Sequence, residues 1–470
     1  MSRAHALLGF TIVLLLALVV GCSSAAPAPQ AAAPTAAPQA AAPTTAPAAA
    51  PAAKATEAPK ADAAKAAPAS GEPVTIEYWQ YNFPARIEAM NELIKQFEAA
   101  NPGIKVVHNS DIPYDNFQDK IAASAPAGVG PDVATLFYGW LPKWVEAGYL
   151  VPLPEKDFPP AQIEKEFSPM VQAGKFQGKY WTIPTAVRTL ALFWNKDMFK
   201  AAGLDPEKPP TTVEEFAEMA QKLTKRDGDK ITQQGFPVEM TGQAHQWFRE
   251  VLTRQWGVEP FSADNKKLNY GSPQACEAWK WLTDFETKYK TGSNDLFDGA
   301  TTAFTNGKAA LHIDGSFRLG ALAKATGLNF GVAPLPTRNG VQANFGSYWT
   351  HGLTKKAAAD PKRLEASTKF LKFITSPEAG KLWVEKTGEL PAQLSAANDP
   401  ALLKDPKLGA FAQSLPYSHA TFFVDEAKQR QNLIDAFDAI RLQGADPCKT
   451  LADAVAKDQA LYDEFWAKIK

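Results

Sequence analysis

The side chains of this chain that could do chemistry are mostly planar. Its 470 residues include 12 Trp, 27 Phe and 11 Tyr, more flat apolar faces than packing alone requires, so some of them are expected to face a ligand. Val74, Ile76 and Tyr78 alternate with Thr75, Glu77 and Trp79, a strand pattern that ends by presenting Trp79, Gln80 and Tyr81. Rings stack on apolar C–H faces, and amides or guanidinium forks pair with hydroxyls two at a time. Together they supply the chemistry of polyol recognition. Bond-breaking has less support: there is no Gly-x-Ser-x-Gly elbow, phosphate loop, Gly-x-Gly-x-x-Gly turn or His-Glu-x-x-His helix. No spacing of Cys and His resembles a metal site, so neither a metal nor another cofactor is expected.

Bulk charge excludes other partners. Lys plus Arg number 49 against 50 for Asp plus Glu, a net charge of -1, which gives no electrostatic reason to expect nucleic acid or an anionic membrane surface. The amino end reads as a targeting device. Ser2, Arg3 and His5 precede an apolar run over 6–20, the length of a signal-peptide core and short of the roughly 20 residues of a spanning helix. The run stops at Val19-Val20-Gly21-Cys22, which resembles the lipobox of bacterial lipoproteins. That likeness implies a signal peptide over 1–21 and a lipid on Cys22. Residues 22–72 are nearly all Ala, Pro, Thr and Ser, lack the apolar groups that offset ordering entropy, and read as a disordered tether. Beyond it only Cys276 and Cys448 remain; in an oxidising compartment they could pair, or stay as two separate thiols.

The elements that must position the rings are alternating strands and helices. Ile87, Met90, Leu93, Ile94 and Phe97 lie on one helical face that ends at Asn101-Pro102-Gly103. Strands over 104–107 and 132–137 flank a short helix over 115–124, giving β-α-β-α-β and a parallel sheet. A second unit begins at 189–195, with a helix over 212–225 entered through a capping box of Thr211 or Thr212 with Glu214 or Glu215. Further strands are expected at 236–240, 309–314, 330–335 and 345–353, then helices from 361 onward. Two such α/β bodies place a ligand in the cleft between them.

Segments 93–106 (LIKQFEAANPGIKV), 131–133 (PDV), 148–153 (GYLVPL), 178–184 (GKYWTIP), 194–204 (WNKDMFKAAGL), 304–315 (FTNGKAALHIDG) and 370–377 (FLKFITSP), in this order behind a lipobox, resemble the carbohydrate-binding solute receptors of ABC importers, the family that includes maltose-binding protein. The resemblance implies an α/β fold of the type II periplasmic-binding-protein clamshell, with parallel-type central sheets flanked by helices and three hinge crossings near 185–188, 327–330 and 388–392. It implies an N-terminal lobe of 73–185 plus 328–391 and a C-terminal lobe of 186–327 plus 392–470. It also implies a monomer, extracytoplasmic and lipid-anchored, that hands a sugar or oligosaccharide to the permease subunits of an ABC transporter and is not an enzyme.

Carried onto this chain, the family's contacts fall on Trp79 and Gln80 at the end of the first strand, and on Tyr138 and Trp140 in the loop after the third. Arg188 takes a hinge position where the maltose receptor has an acidic contact; its fork would suit a hydroxyl pair or an acidic sugar, and a hinge salt bridge is the comparable reading. Phe317 takes the stacking position of the turn 314–318, with Arg318 beside it. Glu239, Gln243 and His245 follow a strand that faces the cleft. Tyr348 and Trp349 occupy an aromatic turn, and Phe423, or its neighbour Phe422, precedes a late helix over 426–440. For each ring the bland reading is core packing, and for Arg318 a solvated charge in a first helical turn. Two other functions stay open: the same clamshell with a polyamine or other small molecule, which would favour clustered acids, and a secreted carbohydrate-active enzyme, which needs two carboxylates about 5 to 10 Å apart.

Overall fold

The computed structural model describes residues 72–241 and 244–469. The signal segment, Cys22, the tether up to residue 71 and Gln243 lie outside the described residues. The opening alternates as expected. Val74–Tyr81 and Ile104–Ile112 are parallel neighbours joined by the helix Pro84–Ala100, which buries Ala89, Met90, Leu93, Ile94 and Phe97. Val133–Phe137 adds a parallel strand on the other side. Asp132 locks its entry, accepting from the Glu77 N–H at 2.7 Å and from Arg363 Nε at 2.9 Å. Trp349–Leu353 then runs antiparallel to Val133–Phe137, and Thr182–Ile183 closes this five-stranded sheet.

A second sheet of six strands is organised around Ala186–Asn195, in which every residue is buried. Its near-continuous apolar run suits a strand covered on both faces. Leu311–Gly315, Phe330–Ala333, Asn344–Ser347 and Leu390–Pro391 all run antiparallel to it. Parallel pairing therefore describes the opening of the chain, whereas in this sheet it is confined to Asn344–Ser347 against Ser418–His419. The β-α-β argument holds for consecutive crossover units, whereas these strands return to a central one from far along the chain.

Two strand expectations change. Residues 236–240 form no strand, and Gln234 makes only an isolated bridge to Ala309; Pro237 has no N–H to give to a ladder. The stretch 345–353 is two strands parted at Tyr348, Asn344–Ser347 in the second sheet and Trp349–Leu353 in the first. The chain thus passes between the sheets at Tyr348. Phe330–Ala333 and Asn344–Ser347 pair in the second sheet, although the expected lobe division puts them with the first. The other passages run from Thr182–Ile183 into Ala186 and through Leu390–Pro391, which pairs with Val187 and Ala186.

Cys276 and Cys448 form a disulfide, with Cα atoms 5.2 Å apart, that joins the helix Pro273–Thr287 to the helix Pro447–Lys468. Of the two alternatives open in the sequence, the paired one holds. Among the described residues no helix is long and apolar enough to cross a membrane, and no group of three or more His, Cys, Asp or Glu could hold a metal ion.

Candidate functional site

A cavity of about 410 Å³ opens where strand ends of the two sheets meet, within the size range of small-molecule sites. On one side Tyr81 ends the first strand, Phe137 ends Val133–Phe137 and Trp349 starts Trp349–Leu353; Tyr114 opens the helix Tyr114–Ser124. Because Trp349 begins an antiparallel strand, it lies at the same edge as the carboxyl ends of its parallel neighbours, where α/β sheets hold ligands. The rings form a continuous aromatic wall. Tyr81 and Trp349 have centroids 4.3 Å apart, and Trp349 lies 6.0 Å from both Tyr114 and Phe137. Phe423, from the other side, reaches within 6.1 Å of Phe137. Gly139 permits that approach, since a Cβ there would stand 2.7 Å from ring atoms of both Phe137 and Phe423.

The facing wall is polar, and Phe317 is its ring. Arg188 projects from Ala186–Asn195, with its guanidinium carbon 5.1 Å from the Phe317 ring centre. Asp314, next to last in Leu311–Gly315, accepts from Arg318 Nε at 2.6 Å. Burial works to raise the Asp314 pKa, but His312, Arg318 and the Gly315 N–H outweigh it and hold the carboxyl below its ordinary value. Glu239 accepts from the hydroxyls of Thr241 at 2.7 Å and Thr301 at 3.3 Å. Glu426, paired with Arg430 at 3.1 Å, is pushed up mainly by burial. His245 also lines the cavity.

Beneath the aromatic wall lies a buried polar layer that spans the passages between the sheets. Glu389 follows the left-handed cap Gly388 and accepts from Arg86 twice and from Trp383 Nε1 at 2.8 Å. Arg188 Nε stands 3.4 Å from the same carboxylate. Burial raises the Glu389 pKa, yet the charges of Arg86 and Arg188 prevail and hold it below the usual carboxylate range. Arg86 also donates to the Tyr81 hydroxyl, tying this layer to the wall. Next to it, Thr185 Oγ1 donates to the Ile374 carbonyl at 2.6 Å and lies 3.0 Å from His351 Nε2, while His351 Nδ1 lies 3.2 Å from the Tyr78 hydroxyl. Since the Thr185 proton is committed to Ile374, His351 Nε2–H must donate to Thr185 and Nδ1 must accept from Tyr78. Burial, with Arg86 nearby, pushes His351 down to about 3, so the ring is neutral.

Seven of the residues expected from sequence meet at the cavity: Arg188, Glu239, His245, Phe317, Arg318, Trp349 and Phe423. Five others do not line it. Trp79 is buried under Lys120, whose Nζ is 5.0 Å from its ring, and its Nε1 donates to Glu77 at 3.1 Å. Gln80 sits in the buried layer, facing Thr135 and Glu389. Tyr138 and Tyr348 stack on each other at 4.8 Å as core. Trp140 is buried edge-on against Trp349 at 5.2 Å, supporting the wall from behind. Gln243 lies outside the described residues. The sequence reading passed over Tyr114, Phe137 as a lining ring, Asp314, Glu426 and Arg430. Tyr114 had a signal: Ile112-Pro113-Tyr114 puts a ring at a helix start directly after a strand end, and that ring is half exposed.

The family model of bacterial extracellular solute-binding proteins matches residues 92–410. The chain belongs to this family, whose members act outside the cytoplasm and bind solutes. Among sequence relatives, the maltotriose-binding protein of Pyrococcus abyssi is 25% identical over 347 residues, 73% of this chain and 71% of the relative. The sn-glycerol-3-phosphate-binding periplasmic protein of Escherichia coli K12 is 25% identical over 343 residues, 68% of this chain and 75% of the relative. The cyclic alpha-maltosyl-1,6-maltose binding protein of Arthrobacter globiformis superposes with a TM-score of 0.73 at 21% identity, covering 83% of this chain and 100% of that one. A cyclo/maltodextrin-binding protein superposes at 0.70 with 22% identity, covering 86% of this chain and 100% of that one. These likenesses place the fold among the two-lobed α/β solute receptors.

Proposed function

We propose that this chain captures a carbohydrate in the 410 Å³ cavity and delivers it to the permease subunits of an ABC importer. The observation that carries the reading is the pairing of an aromatic wall, Tyr81, Tyr114, Phe137 and Trp349, with the facing fork and carboxylates of Arg188, Glu239 and Asp314. Ring faces take the C–H side of a pyranose, and the planar polar groups take its hydroxyls. The sugar-binding relatives and the family support it. The wall belongs to the first sheet and the polar face to the second, so a ligand that touches both favours a closed arrangement of two lobes. The lobes we assign are the two sheets with their helices, exchanged at 183–186, at Tyr348 and at 388–391. Cys22 carries a lipid, the stretch after it is the tether, and the receptor works as a monomer.

The protein binds its ligand without cleaving it. Asp314 is bonded to Arg318 and held ionised, and Glu426, though pushed up by burial, is paired with Arg430, so neither is presented as a free general acid. Titration calorimetry of the purified chain against mono- and oligosaccharides is expected to give saturable heat with no new reducing ends, and X-ray scattering a smaller radius at saturation. Silence across the panel, or release of shorter sugars, would refute the reading. A second reading, capture of a phosphate ester as in the glycerol-3-phosphate-binding relatives, is favoured by the presence of Arg188 and is separated by including sugar phosphates in the panel.

A further inference from the structure

Among the described residues three cationic side chains line the cavity, and two of them are neutralised in place. Arg318 is bonded to Asp314, and Arg430 to Glu426. Arg188 is different. It is 8% exposed, and its Nε and Nη2 are buried with no hydrogen-bond partner among the described residues. The carboxylate beside it among the described residues, Glu389, is already engaged by Arg86 Nε and Nη2 and by Trp383 Nε1. Two buried guanidinium groups therefore share one buried carboxylate, and the layer under the cavity carries an uncompensated positive charge.

A buried charge that only shares its carboxylate with a second cation is costly, and hydroxyl acceptors relieve only the hydrogen-bonding part of that cost. An anionic oxygen pair relieves both parts, and it matches the planar fork of arginine. The Phe317 ring, 5.1 Å from the guanidinium carbon, covers one side of the group and shields it from water. Burial, reinforced by Arg86, already works against the charged form of Arg188, with Glu389 opposing it only in part.

From this we infer that the ligand is an acidic saccharide, with a carboxylate or phosphate seated on Arg188 and its neutral rings against Trp349 and Tyr81. Glu239, which two threonine hydroxyls hold and no cation pairs among the described residues, lies on the same cavity and takes the hydroxyl-bearing part. The ligand is thus oriented, acid end at the hinge. The inference rests on the carbohydrate reading above and narrows its substrate class.

The test uses matched probes on the full chain at one ionic strength: digalacturonate against its C6-alcohol counterpart, and glucose 6-phosphate against glucose, by titration calorimetry. The acidic member of at least one pair is expected to bind tenfold or more tightly, since a charge-assisted hydrogen bond is roughly twice as strong as a neutral one. Which pair shows the preference tells carboxylate from phosphate. In Arg188→Gln the preference is expected to fall below twofold, while Arg188→Lys, which keeps the charge and loses the fork, retains part of it; thermal unfolding of both variants checks that they fold. Equal or tighter binding of the neutral members overturns the inference and leaves the carbohydrate reading standing. If no member of either pair binds and neutral oligosaccharides also fail, both fall together.

Discussion

Lowering the pH should weaken this fold through His351 in a way that can be worked from its surroundings. The ring is buried between Tyr78 and Thr185, accepts at Nδ1 and donates at Nε2, and is held neutral with its pKa pushed down to about 3. An unfolded histidine titrates near about 6.5. The folded value is the depressed one, so the stability it supports is complete above about pH 6.5 and is lost progressively as the pH falls towards 3. At pH 5 the unfolded state gains about 1.5 pH units of protonation that the folded ring refuses, or about 2 kcal/mol. Arg86 and Tyr78, the ionisable groups facing the ring, do not change charge in this window. His108 does: burial, opposed by Asp111, pushes it down to about 4, so it adds a loss of its own. Urea unfolding of the wild type and of His351→Gln at pH 7.5 and pH 5 separates the two, because the amide cannot titrate. The wild type should lose about 2 kcal/mol more than the variant between these pH values. Equal losses would mean that His351 is not held neutral in the folded chain, and the proton assignment along Tyr78, His351 and Thr185 would be wrong.

Four further outcomes follow from the geometry. Phe317→Ala and Trp349→Ala should each weaken binding of the best saccharide by about tenfold or more in calorimetry, as expected for anchor rings in a contact site. Trp79→Ala, although it truncates a larger side chain than Phe317→Ala, should leave affinity within about twofold and instead cost about 3 to 5 kcal/mol in denaturant unfolding. Glu389→Gln strands two buried cations and should destabilise by about 3 to 5 kcal/mol, with a matching fall in Tm. Reducing the disulfide, or replacing both Cys276 and Cys448 by Ala, removes a cross-link spanning 172 residues; loop closure of that length sets a ceiling of about 5 kcal/mol, to be read as a lower urea midpoint.

The first α/β unit was legible because its signals are local: a period-2 run, a one-faced helix and a Pro-Gly stop each lie within a few residues. The second sheet was not, since Ala186–Asn195 finds its partners between 311 and 391 and no local pattern states their direction. Arg188, Phe317 and Trp349, which line the cavity, were singled out because a family likeness fixed their positions. Trp79 misled because alternation identifies which side chains share a face but not how far along the strand the core ends. Tyr81, two residues on and on the same face, is the ring that reaches the cavity. Tyr138 and Tyr348 came from the same likeness, which fixes the loop or turn but not which of its rings faces out; here the two stack on each other as core.

The bridge between Cys276 and Cys448 also bears on the order in which this protein can mature. A chain exported amino end first presents the earlier thiol long before the later one, so the covalent ring stays open until Cys448 emerges into an oxidising space. Phe317, Arg318 and Phe423 all lie within that ring. Trp349 of the aromatic wall lies within it too, so both walls are stapled only at the end of export, and a cell short of oxidising capacity would accumulate receptors in which neither wall is held by the bridge.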